Sequence, residues 1–140
     1  MDDWSPADTN THQDHVIAHV IGAKVEAYFV WDETVYLVLD IGFIWNIYLN
    51  IEMGLVPQVV AIAELDASDE MRRELRSDLD LIGRDASLNR MTTSPVQSPI
   101  LSIDFLTADS SRQLRLTCED GVLVVETSLQ TAEVKIYEAG

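Results

Sequence analysis

One cysteine, Cys118, occurs among the 140 residues, so no internal disulfide can hold this chain. A lone thiol in an apolar stretch reads as a small core residue, and the scarcity of cysteine points to a reducing, cytoplasmic compartment. Bases are scarce too: nine stand against 24 acids, for a formal net charge of −15. Phosphate backbones and anionic bilayers are held by basic faces. Nucleic acid and membrane are therefore not expected partners, whereas a basic protein is favoured. The start, Met1-Asp2-Asp3-Trp4, has neither a basic nor an apolar region, so no secretory leader is expected. The longest apolar stretch, 34–51, is interrupted by Asp40, Asn46 and Asn50 and is too polar to cross a bilayer as a helix.

Chemical motifs are also missing. No glycine-rich phosphate loop, no serine in a nucleophile elbow and no zinc-finger or metalloprotease spacing occurs. The carboxylate pairs Asp32/Glu33 and Glu119/Asp120 fall in expected turns, and turn chemistry explains them. No catalytic residue and no cofactor is expected. All three histidines lie in one segment, and on a helix His12, His15 and His19 would share a face at i, i+3 and i+7. They are the one candidate metal set. Metal sites normally draw ligands from several elements with supporting contacts, so none is expected here.

What is present is a chain that is 47% hydrophobic, enough to bury the core of one domain. Residues 1–11 are polar, carry Pro6 and read as a flexible arm; 12–140 read as a single domain. Period-two patterning predicts strands over Lys24–Trp31, Thr34–Ile41, Phe43–Ile51 and Val56–Glu64. In the third, Phe43, Trp45, Ile47, Leu49 and Ile51 share one face. Helical periodicity appears at 67–82, where Met71, Leu75, Leu79 and Ile82 form a stripe. Asp66 or Ser68 can cap that helix, and Gly83 sits where a left-handed residue would end it. Its arginines read as a solvated face. Residues 85–99 are loop-like, with a short strand allowed at Asp85–Met91. Strands return at Ile100–Leu106, Gln113–Cys118, Val122–Thr127 and Glu133–Tyr137, with Asp120-Gly121 as a hairpin turn. The expected class is α+β, mainly antiparallel, with about eight or nine strands.

The halves resemble each other. Val20-Ile21-Gly22 matches Leu81-Ile82-Gly83, and Val35-x-Leu37-x-Leu39 with Gly42 matches Leu114-x-Leu116-x-Cys118 with Gly121, at an offset of 79 residues. Repeat units over 15–66 and 67–138 follow, and if they are copies Asp14–Val20 should be helical. This twofold pattern of apolar-Ile-Gly, strand, turn glycine and strand resembles small uncharacterised bacterial two-repeat β-rich domains. Some proteins of this size and acidity are immunity partners of toxins. The resemblance implies protein binding and supplies no catalytic residues.

Residues 1–66 hold eleven acids and one base, Lys24, so the first half is the source of a strong negative field. Trp31, Tyr36, Trp45 and Tyr48 cluster in the same half. The expected contact surface is Asp32, Glu33, Asn46, Tyr48, Asn50 and Glu52, where acids surround an aromatic anchor. The leading expectation is thus non-catalytic protein binding, with toxin neutralisation as its sharpest form. A small-ligand domain with a pocket between the halves comes second, and an enzyme of unknown type third. A homo-oligomer is compatible with the sequence.

Overall fold

The computed structural model describes residues 3–84 and 86–139. In chain order the elements are β1 (Ser5–Pro6), α1 (Thr11–Val20), β2 (Val25–Trp31), β3 (Thr34–Leu39), β4 (Phe43–Ile47), β5 (Met53–Pro57), α2 (Gln58–Ala63), α3 (Asp69–Leu81), β6 (Thr92–Thr93), β7 (Ile100–Ala108), β8 (Ser111–Cys118), β9 (Val122–Ser128) and β10 (Val134–Ala139). They build two antiparallel five-stranded sheets, ordered β1-β7-β8-β9-β10 and β5-β4-β3-β2-β6. Each is a four-stranded meander with a two-residue strand added at one edge.

The sheets pack face to face. Val35, Leu37, Leu39, Trp45 and Ile47 of one meet Leu114, Leu116, Cys118, Leu123 and Val125 of the other in a single core, joined by Val16 and Val20 of α1. Alternation along each strand puts every second residue into this layer. The Cys118 thiol lies in it, and burial pushes its pKa up. The other face of the β2–β5 sheet is covered as well. Ala27, Phe29, Val38 and Ile44 pack under Ile62, Leu65, Met71 and Leu75 of the α2–α3 layer. A sheet buried on both faces loses the polar alternation of a one-sided sheet, which is why Thr34–Leu39 is apolar on both sides. The outer face of the β7–β10 sheet carries a polar network instead: the Tyr137 hydroxyl donates to Glu126 Oε1, which also accepts from Gln113 Nε2.

Two β-bulges redirect side chains. Val25 pairs with Leu39 and Ala27 with Val38, so Glu26 is the extra residue. The bulge lets Val25 enter the inter-sheet core while Ala27 faces the helices. A second bulge at Leu101 leaves that side chain 55% exposed.

Several sequence-based boundaries need correction. Phe43–Ile51 stops as a strand at Ile47; residues 48–52 form the connection to β5. Val56–Glu64 is a strand only to Pro57, and Gln58–Ala63 is helix α2. Period-two reading cannot separate a short apolar helix from a strand. No strand lies between 86 and 91; β6 is Thr92–Thr93. Within the stretch read as an arm, Ser5 and Pro6 pair with Thr107 and Leu106. The expected helix near 67–82 is α3, with the Ser68 side chain accepting from Met71 N. Asp14–Val20 is helical within α1, whose Asn10 and Gln13 form a capping box. α1 and α3 end alike, with an extended Ile21 or Ile82 followed by a left-handed glycine, Gly22 (φ 90°) or Gly83 (φ 81°).

The stripe on α3 holds a surprise. Asp78 is fully buried, and its carboxylate accepts from Asn89 N (2.6 Å), Asn89 Nδ2 (3.0 Å), Arg90 N (2.7 Å) and Met91 N (2.9 Å). One side chain thus anchors the segment that returns from α3 to β6.

Among the described residues, no helix is long and apolar enough to cross a membrane.

Candidate functional site

Four connections join consecutive meander strands at one end of the sandwich: 32–33, 48–52, 109–110 and 129–133. Contacts hold them together. Thr127 Oγ1 donates to Leu49 O across the sheets, and Leu129 N donates to Ser110 O. Among the described residues, all five non-glycine residues with left-handed backbone lie in these connections: Asp32 (φ 49°), Glu33 (φ 61°), Ile51 (φ 65°), Asp109 (φ 52°) and Ala132 (φ 59°). Left-handed backbone costs a residue with a Cβ about 1–2 kcal/mol, and such strain concentrates where a surface is used.

Asp32-Glu33 closes the β2–β3 hairpin between the paired Trp31 and Thr34. Positive φ at both positions is the pattern of a type I′ turn, where Asn-Gly fits best; two acids occupy it here. Ile51 is a harder case, because it is β-branched and fully buried. Its conformation is held by Ile51 N donating to Tyr48 O (2.8 Å) and by the buried Gln13 Nε2 donating to Ile51 O (2.9 Å).

Asp32, Glu33, Tyr48 and Asn50 line one shallow groove together with Leu49 and Leu129. Tyr48 is 45% and Leu129 43% exposed. Tyr36 reaches the same end from beneath, stacked on Phe29 with centroids 4.6 Å apart. Its phenol pKa is raised, first by burial and then by Tyr48 and Asp32, against a hydrogen bond from Thr34. The other two expected residues lie elsewhere. Asn46 pairs with Tyr36 and Gly54 on β4, on the helix-covered side of its sheet. Its Oδ1 is buried without a partner among the described residues. Glu52 accepts from Asn10 Nδ2 (3.0 Å) and belongs to the cap of α1. Sequence reasoning missed Leu129, which follows β9 where a turn was expected. The readable signal was an apolar residue beside Gln130-Thr131.

The three histidines line a separate groove with Ile41, Phe43 and Leu55. Two ring nitrogens are engaged by backbone: His12 Nε2 with Met53 O (2.8 Å) and His19 Nδ1 with His15 O (2.7 Å). Among the described residues, no group of three or more His, Cys, Asp or Glu side chains is arranged to hold a metal ion.

No family model, curated protein or solved structure matches the chain.

Proposed function

We propose that this chain is a non-catalytic protein-binding module whose contact surface is the strained hairpin end, and that its partner is basic. The observation that carries the reading is the meeting of Asp32, Glu33, Tyr48, Asn50 and Leu129 in one groove on strained loops. An exposed aromatic and an aliphatic beside two acids suit a hot spot with a polar rim. Loops fixed by a two-sheet core present that spot with little ordering cost. The net charge of −15 adds long-range attraction for a basic protein and repulsion for nucleic acid and anionic lipid. Neutralising a basic toxin inside the cytoplasm is the sharpest form of this function. We also read the two meanders as copies of one unit, supported by the matched Ile-Gly helix ends and by offset pairs such as Val35 and Leu114 in one core. The helices depart from that symmetry, since α1 borders the inter-sheet core and α3 covers an outer face.

The test begins with a partner recovered from the native host and proceeds to binding kinetics at two salt concentrations. Asp32→Lys with Glu33→Lys should slow association, more so at low salt, and Tyr48→Ala should mainly speed dissociation. A partner that binds these variants as it binds the parent would remove the hairpin end from the interface.

A further inference from the structure

Away from the hairpin end, a pocket of about 230 Å³ lies where the C-terminal end of α3 meets β2 and β6. Its lining combines an apolar wall, including Ile82 and Leu88, with four polar residues: Glu26, the exposed Arg84, Thr93 and Gln97. The β-bulge places Glu26 there, because the extra residue breaks the alternation that would otherwise send it along the sheet face. Gln97 is tied beside it, with Nε2 donating to Glu26 O (3.4 Å) and Ser94 O (3.2 Å). Glu26 as a residue is partly buried. Burial raises its pKa, Asp40 adds to this, and Lys24 opposes it. Among the described residues, neither Glu26 nor Arg84 makes an ion pair, although both line this one pocket.

We infer that this pocket is a site for a small free amino acid with an apolar side chain, its ammonium on Glu26 and its carboxylate on Arg84. Opposite charges that line one cavity without meeting are suited to a ligand carrying both complements, since a carboxylate–guanidinium pair and a carboxylate–ammonium pair are each charge-assisted. The apolar wall takes the side chain, and a cavity this small excludes nucleotides and long peptides. The proposal stands apart from the hairpin-end reading and shares no residue with it.

Isothermal titration calorimetry with L-leucine, 3-methylbutylamine and 4-methylpentanoate separates the two charges on a common side chain. L-leucine should bind with one-to-one stoichiometry, and the amine and the acid should each bind at least about tenfold more weakly. Glu26→Gln and Arg84→Gln should each weaken L-leucine by about tenfold. Glu26→Gln keeps side-chain size, Arg84→Gln shortens an exposed side chain, and an unchanged far-UV spectrum would show that the fold is intact. Absence of binding by L-leucine, L-valine, L-isoleucine and L-methionine alike would overturn the site. Equal affinity in Glu26→Gln would overturn the role of the carboxylate, and equal affinity for the amine alone would overturn the zwitterion class.

Discussion

Replacing Asp78 by alanine should be the most damaging polar substitution in the molecule. The fully buried carboxylate accepts four hydrogen bonds, three of them from the consecutive backbone amides of Asn89, Arg90 and Met91. Hydrogen bonds to a charged group are each worth about 1.5–3 kcal/mol, and a buried donor left without a partner costs about 1–3 kcal/mol. The Met91 bond is buried, whereas those of Asn89 and Arg90 are only part-buried and water can reach them after a small shift. The sum is therefore not additive, and a loss of about 3–5 kcal/mol is expected for Asp78→Ala. That is a large share of the roughly 5–15 kcal/mol that stabilises a domain. With a urea slope of about 2 kcal/mol/M, the midpoint should fall by about 2 M. Asp78→Asn should recover little, because its amide would point a donor at the amides of Arg90 and Met91. Glu74→Ala on the same helix is the control. Its contact with Arg90 is long (3.4 Å) and solvent-exposed, so it should cost under about 1 kcal/mol. Urea unfolding followed by tryptophan fluorescence reads all three. A midpoint for Asp78→Ala within about 0.5 M of the parent would refute the claim that this carboxylate anchors the 89–91 segment.

Replacing Asp32-Glu33 by Asn-Gly should raise stability by about 1–2 kcal/mol, since both positions are left-handed; a lower thermal midpoint would contradict the turn assignment. Gly22→Ala should cost about 1 kcal/mol through backbone strain alone, because a Cβ there meets no atom within 4 Å, and calorimetry can check it. Glu26 holds its proton more tightly when folded than when unfolded. It therefore favours the folded state as pH falls through the window just above the ordinary carboxylate range and disfavours it at neutral pH. Glu26→Gln should accordingly be more stable than the parent at pH 7 and lose that advantage in acid, in parallel thermal melts.

The class of the fold was legible because alternation survives wherever one face is buried: Trp45 and Ile47 on β4, Leu114 and Leu116 on β8. It failed where tertiary context chose between two local solutions. Val59, Val60 and Ile62 suit a strand by propensity, yet they follow Pro57 into a helix that covers Ile44 and Val38. The end of β4 was missed for a different reason. Ile51 continues the apolar alternation in sequence but reaches the core by a left-handed backbone rather than by a pleat. Four of the six expected contact residues meet because the hairpin tips of a meander gather at one end. Asn46 was misplaced because a sheet with two buried faces offers no outward side at that register. Asp78 was readable in principle: it lies three residues after Leu75 and seven after Met71, on the buried stripe, where a charged residue signals an anchor.

The sheet order has a bearing on solubility. Two of the four sheet edges end in two-residue strands, Ser5–Pro6 and Thr92–Thr93, which are themselves too short to template another chain and cover two residues each of β7 and β2. A third, β5, runs into Pro57 and turns into α2. β7 stays open over residues 101–104, beyond its short pairing with β1, and β10 is a fully open edge of six residues. Its protection is chemical: Lys135 and Glu138 are exposed within it, and Glu133 precedes it. These charges act as gatekeepers against edge-to-edge pairing, and replacing them with apolar residues should favour association through β10.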